Sequence, residues 1–240
     1  MKEEVFRFKK FEVSHGRSSM KVGVDAVLLG TWVKFRGKDL KILDVGTGCG
    51  VISLILAQRF PGSKITAIDI DKDSIEEAGE NFGRSEWKES LEALKMRYPE
   101  DLAADGNRYD LIVSNPPYFK SGISTPATSR ERARHQGSLS VFTLIEKVRE
   151  LLLPEGRLCV ITPTEFLEEI ERVCDRNGVE IKRVCYVRNN SNRPEKRMML
   201  EMGLKDEAGE APEEEHLTLF ESGIPTDAYR DLCRDFYLNF

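Results

Sequence analysis

The segment Ser114-Asn115-Pro116-Pro117-Tyr118-Phe119 sets an amide, two prolines and two aromatic rings directly behind the apolar run Tyr109 to Val113. A residue before proline is pushed out of the helical region, and each proline fixes its own φ and lacks an N–H, so the loop is stiff and its carbonyls stay free to accept. Such a group suits an exocyclic amine whose lone pair is delocalised into a ring. By accepting the amine hydrogens, Asn115 Oδ1 and the Pro116 carbonyl favour a pyramidal, nucleophilic nitrogen. Pro117, Tyr118 and Phe119 offer faces for a flipped-out base, and stacking contributes about 1–3 kcal/mol per base. Asn115, Pro116 and Tyr118 are therefore the catalytic candidates. The plainer alternative is a rigid turn with Tyr118 packed as a core aromatic.

A second group lies upstream. In Asp44-Val45-Gly46-Thr47-Gly48-Cys49-Gly50 the three glycines follow an apolar run and open a helical one, so the backbone can turn tightly and approach a ligand. The spacing is Gly-x-Gly-x-Gly, not the Gly-x-Gly-x-x-Gly of a pyrophosphate site, and Asp44 would repel a pyrophosphate at that place. S-adenosylmethionine has no phosphate but carries a sulfonium and an amino group, which a carboxylate attracts. Asp69, 23 positions after Gly46, ends the next apolar run, where a carboxylate can accept from ribose hydroxyls. Capping of the following helix is the competing role for Asp69, Asp71 and Asp73, and it fits Asp73 best.

These residues need a sheet to carry them. Lys41 to Asp71 reads as one strand-helix-strand unit, and further strands are expected at Tyr109 to Ser114, Gly156 to Ile161 and Val179 to Val187. Helices are expected at about Asp73 to Phe82, Leu139 to Leu152 and Pro163 to Asn177. Ser90 to Tyr98 is ambiguous, with alternation order favouring a strand. Met198 to Leu204 pairs antiparallel with the strand before it, across the polar connection RNNSNRPEKR. The expected fold is α/β: a doubly wound, mainly parallel seven-stranded sheet with an antiparallel C-terminal hairpin, in a single domain over 1–240. The acidic stretch 206–215 (DEAGEAPEEE) has the composition of a solvated loop.

Composition limits the alternatives. The chain has 240 residues, 40% of them hydrophobic, enough for one substantial core. A net charge of −5 makes adhesion to nucleic acid through overall charge unexpected, so any such contact uses local patches. The five cysteines, Cys49, Cys159, Cys174, Cys185 and Cys233, never form a Cys-x-x-Cys pair, which argues against zinc or a disulfide framework. No apolar run approaches the roughly 20 residues of a membrane span, and MKEEVFRFKK lacks a signal-peptide core. The expectation is a cytoplasmic protein with no metal and no obligate protein partner.

DVGTGCG, Asp69 and SNPPYF together resemble class I methyltransferases acting on amino groups. The N-terminal FRFKKFEVSHGRSSMKVGVDAVLLGTW, the later RERARH and the terminal YRDLCRDFYLNF are similar to the bacterial tRNA(Val) adenine-N(6)-methyltransferase family over nearly the whole chain. The resemblance implies S-adenosylmethionine as donor and, as acceptor, the adenine just 3′ of the anticodon of a valine tRNA. It makes 1–40 a segment covering the site, with Lys21, Gly23 and Asp25 over the cofactor's methionine end. Asp25 could equally be an N-cap of a helix beginning near Ala26. The cofactor set is then Asp25, Asp44, Gly46, Gly48, Gly50, Asp69, Asn115 and, for the adenine contact, Asp101. Two basic groups could hold RNA phosphates: Arg130, Arg132, Arg134 and His135 behind the signature, and Arg183, Arg188, Arg193, Lys196 and Arg197 about the hairpin. Solvated polar loops are the plain alternative. Rival readings keep the chemistry on ribosomal RNA, DNA or a release-factor glutamine amide, or make the chain a non-catalytic nucleotide-binding module.

Overall fold

The computed structural model describes residues 4–18, 20–35, 37–102, 106–117, 139–206 and 210–240. Two short strands, β1 (Val5–Arg7) and β2 (Glu12–Ser14), pair antiparallel ahead of α1 (Val24–Trp32). Then follow β3 (Lys41–Val45), α2 (Val51–Arg59), β4 (Lys64–Asp69), α3 (Lys72–Arg84), β5 (Leu91–Lys95) and β6 (Tyr109–Ser114). The second half contains α4 (Val141–Leu151), β7 (Leu152–Pro163), α5 (Leu167–Arg176), β8 (Val179–Asn190), β9 (Arg197–Leu204), β10 (Glu213–Glu221), β11 (Ile224–Pro225) and α6 (Asp227–Cys233). Sheet order is β11-β10-β8-β9-β7-β6-β3-β4-β5. β3 to β7 run parallel, and β9 lies antiparallel between β7 and β8, the expected hairpin.

Alternation along the central strands explains why helices cover both faces. Ile42 of β3 and Leu111 and Val113 of β6 pack into one cluster with α1 and α2, whereas Leu43, Val45 and Ile112 pack into the other with α4 and α5. α3 buries Ser74, Glu77, Ala78, Asn81 and Phe82, the i, i+3, i+4, i+7, i+8 face of a helix lying on a sheet. Its N-cap is Asp71, which accepts from Ser74 N–H at 2.9 Å; Asp73, the expected cap, lies in the first turn. α1 starts two residues before Ala26 with Gly23 as N-cap, so Asp25 is not its cap. Among the described residues no helix is long and apolar enough to cross a membrane.

Two further expectations are corrected. Among the described residues the sheet has nine strands, because β10 and β11 extend the seven-stranded core, β10 running parallel to β8. The acidic stretch therefore ends in a strand at Glu213. Glu215 accepts from Trp32 Nε1 at 2.7 Å, Lys34 Nζ at 2.9 Å and Arg183 Nη1 at 3.5 Å, so its charge has partners, while Leu217 and Leu219 face the core. The segment before α1 holds two short antiparallel strands. α3 latches it: Asn81 bonds the backbone N–H and C=O of Ser14, and the Glu77 carboxylate accepts from Gly16, Arg17 and Ser18 N–H at 2.9–3.0 Å. Burial pushes the Glu77 carboxyl up, but the Arg17 and Ser18 N–H groups outweigh it and hold it below its ordinary value.

Candidate active site

The turn after β3 holds a backbone conformation that favours glycine. Gly46 has φ 71°, and a Cβ there would stand 2.7 Å from Leu139 Cδ2; Gly50, at φ 82°, precedes α2, and its Cβ would meet Phe82 at 2.5 Å. Gly46 and Thr47 N–H groups both donate to the Ile68 carbonyl, tying the turn to the end of β4. Asp69 completes the junction: its Oδ2 accepts from Gly48 N–H and its Oδ1 from Asp71 N–H, both at 3.0 Å. The half-buried carboxylate thus stands beside the glycine turn and is held there by backbone donors.

Asp44 lies beneath this turn, fully buried. Thr47 Oγ1 and Ser53 Oγ both donate to its Oδ2 at 2.7 Å, while its Oδ1 is buried without a partner among the described residues. Burial raises its pKa from 3.8 to about 6, against the lowering effect of the two hydroxyls. An acceptor with an unmet lone pair in a glycine cradle fits a cationic ligand group and would disfavour a phosphate.

β6 delivers the other half. Ser114 Oγ donates to the Val45 carbonyl at 2.7 Å, locking the ends of β6 and β3 together. Gly46 and Asn115 consequently stand one residue beyond the ends of two adjacent strands, at the carboxyl edge of the sheet. Asn115 is half-buried, Pro116 buried and Pro117 exposed. Tyr118, Phe119, Arg130, Arg132, Arg134 and His135 lie outside the described residues.

The N-terminal segment and the hairpin close around this edge. The Met20 carbonyl would lie 3.9 Å from a Cβ on Gly48, so this stretch passes over the glycine turn. Lys21 is ion-paired with Glu4. Asp25 accepts from Arg197 Nη1 at 2.5 Å, and Arg197 also bonds Asn189. Arg193 and Lys196 are exposed on the β8–β9 connection. Arg188 pairs with Glu195 at 2.6 Å. Arg183 does not belong to a basic surface: it is buried, stacks 3.8 Å over the Trp32 ring and pairs with Glu201 at 2.9 Å.

Asp101 is engaged locally, accepting from Arg97 N–H at 2.8 Å in the turn after β5. At that strand end Lys95 stands in register with Asp69, and just beyond it the Met96 N–H donates to the Asp69 carbonyl at 3.0 Å. Thr47, Ser53, Leu139 and Met96 were not anticipated from sequence. A hydroxyl within an apolar helical run, as at Ser53, was the available signal.

A glycine turn with a cation-seeking carboxylate, beside an Asn-Pro-Pro step at the carboxyl edge, defines a methyltransferase domain with S-adenosylmethionine as methyl donor. The family model described as "Methyltransferase small domain" matches residues 22–169. The fold agrees with solved structures: a predicted O-methyltransferase from Agrobacterium tumefaciens (TM-score 0.61, 18% identity, 88% of this chain and 96% of that one) and a ribosomal protein L11 methylase from Lactobacillus delbrueckii subsp. bulgaricus (TM-score 0.55, 19% identity, 81% and 84%). Similarity to curated proteins is narrower and longer. The tRNA1(Val) (adenine(37)-N6)-methyltransferase of Vibrio vulnificus (strain YJ016) is 37% identical over 243 residues, covering 99% of this chain and 97% of that protein. The protein of the same name from Parabacteroides distasonis is 37% identical over 239 residues, covering 99% of each. The chain belongs to the tRNA1(Val) (adenine(37)-N6)-methyltransferase family.

Proposed function

We propose that this enzyme methylates the N6 amine of adenine 37 in a tRNA1(Val), the activity its relatives' names carry. The observation that supports it most is the adjacency of Asn115-Pro116 to the Gly46 turn at neighbouring strand ends, in a chain similar to those relatives from end to end. When bound, S-adenosylmethionine supplies an electrophilic methyl group on a sulfonium. The residues that would hold it are Gly46, Gly48 and Gly50 around the turn, Asp44 and Asp25 toward its cationic end, and Asp69 toward its ribose, with Met96 a better candidate than Asp101 beside the adenine.

Asn115 Oδ1 and the Pro116 carbonyl accept the two hydrogens of the target amine. That draws the lone pair out of conjugation and aims it, while the stiffness of the Pro-Pro step keeps both acceptors in place without reorganisation. Tyr118 and Phe119 stack on the base, and Pro117 borders it. Arg193, Lys196 and Arg197, with Arg130, Arg134 and His135, hold tRNA phosphates despite the acidic chain. The reaction takes place in the cytoplasm and needs no second protein.

The test is incubation with methyl-labelled S-adenosylmethionine and total RNA from a strain lacking its own copy, followed by fractionation. Label in tRNA that disappears with Asn115→Ala supports the reading; label only in ribosomal RNA, or equal label with the variant, removes it.

A further inference from the structure

Beyond the methylation site the structure holds a cavity of about 750 Å³, of whose lining only Arg193 and Arg197 have a role above. Its walls are the first turn of α1, the tip of the β8–β9 hairpin and the β10–β11 turn. That volume lies within the roughly 300–1,000 Å³ of small-molecule sites. The lining mixes apolar residues (Val24, Leu219, Phe220) with amides and hydroxyls, Asn189, Asn190 and Asn192 from the hairpin tip and Ser222 from the β10–β11 turn, and includes Arg193. None of the described lining residues is acidic, in a chain of net charge −5.

Two observations point to a planar polar ligand. Asn190 Oδ1 is buried with no hydrogen-bond partner among the described residues, an acceptor that the fold leaves unmet. Phe220, paired in register with Asn190 across β10 and β8, keeps about a third of its surface exposed. Its ring is steadied edge-on by Tyr229, with centroids 5.8 Å apart. The Ser222-Gly223 turn, both residues at positive φ, is the two-residue hairpin that returns the chain beside it. An aromatic face next to an amide edge is what a nucleobase needs, one for stacking and one for reading.

The cavity also stands where substrate RNA would pass. Ser114 pairs with Val160 and Val160 with Leu200, while three residues further along Pro163 pairs with Arg197 and Arg197 with Val187. Arg197, at the cavity wall, is therefore two strand spacings across and three residues along from Ser114, roughly 14 Å at about 4.8 Å per strand and about 3.3 Å per residue, and Asn190, one strand and three residues further, is roughly 25 Å from Ser114. About seven stacked nucleotides, at roughly 3.4 Å each, cover that span.

We propose that this cavity is a second nucleoside subsite, which takes an unpaired base several nucleotides from the target adenosine, stacking it on Phe220 and reading its edge through Asn190 and Asn192. It deepens the proposed function and rests on it: RNA must be the substrate. Arg193, which makes no side-chain ion pair among the described residues, holds the phosphate of that nucleotide.

The experiment uses the full chain and a tRNA1(Val) transcript, together with transcripts carrying an abasic site in turn at each position within about ten nucleotides of the target adenosine. Binding is measured by filter retention over a salt series. Wild type is expected to lose about tenfold in affinity for one abasic transcript, the scale of one missing base-aromatic stack. Asn190→Ala and Phe220→Ala should each lose about tenfold for the intact transcript, lose nothing further for that abasic one, and keep the wild-type salt slope, since neither residue is charged. Phe220→Trp should bind as wild type does, which separates stacking from folding. Variants within about twofold of wild type, or abasic penalties that persist undiminished in both variants, overturn the subsite. In the same tubes, wild-type methylation of the intact transcript separates the two claims: its absence overturns the proposed function and the subsite with it, while its presence beside unaffected variants overturns the subsite alone.

Discussion

Arg197 Nη1 donates to Asp25 Oδ1 at 2.5 Å, joining the first residue of β9 to the first turn of α1 across 172 positions of sequence. Both side chains are about four-fifths buried, so the pair is shielded from solvent and couples the hairpin to the segment that passes over the glycine turn.

This pairing carries the first prediction. Asp25→Asn and Arg197→Gln should each weaken S-adenosylmethionine binding by calorimetry, and the double variant should lose less than the sum of the two. The coupling expected for charged groups in direct contact is about 1 kcal/mol. Strict additivity would mean that the pair does not transmit between hairpin and cofactor segment.

Asp44 sets a pH dependence with a defined sign. Its folded pKa, about 6, lies above its ordinary 3.8, so the folded state holds the proton more tightly than the unfolded chain. Its contribution to stability is therefore present at low pH and is lost as pH rises from about 4 through about 6. At about 1.4 kcal/mol per pH unit that gap is worth about 3 kcal/mol. Asp44→Asn should raise the melting temperature at neutral pH by several degrees and flatten this part of the profile. Cofactor binding should run the other way. The ionised carboxylate attracts a sulfonium or ammonium group, so wild-type affinity climbs with pH through about 6, and the variant's does not.

Gly46→Ala tests the cradle. A side chain at φ 71° costs about 1–3 kcal/mol in backbone strain, and the added Cβ also meets Leu139 Cδ2 at 2.7 Å. Cofactor affinity should fall by about tenfold or more. Adding Leu139→Ala relieves the clash but not the φ, so calorimetry should show partial recovery. Full recovery would assign the whole effect to the clash.

The exposed cations of the hairpin tip should behave as phosphate ligands. Arg193→Glu with Lys196→Glu is expected to weaken tRNA binding and to reduce the slope of log affinity against log salt by about 0.7–0.9 for each phosphate no longer neutralised. Unchanged affinity and slope would take both residues out of the RNA footprint.

Short-range patterns in the sequence identify the glycine turn, the strand that ends at Ser114 and the alternation of strands and helices, because each is a signal within one window. What the sequence hides depends on partners far along the chain. Glu213 to Glu215 look like a solvated run, yet Glu215 accepts from the Trp32 indole and is ion-paired with Lys34 and Arg183, 32 to 183 positions away. Arg183 looks like part of a basic surface but is buried against Trp32. The caps at Gly23 and Asp71, in place of Asp25 and Asp73, are shifts of two residues that propensity does not resolve. In the candidate site, the Asn-Pro-Pro step and the carboxylates are legible as residue types, whereas Thr47, Ser53 and Met96 matter only through atoms that they bring next to Asp44 and Asp69.

The most direct measurement of the central claim is nuclease mapping with mass spectrometry of purified tRNA1(Val) after reaction with wild type and with Asn115→Ala. The expected result is one added methyl group on the fragment containing adenine 37, recovered as N6-methyladenosine from wild type and absent with the variant. Methylation at any other position, or an equal yield from Asn115→Ala, would contradict the account.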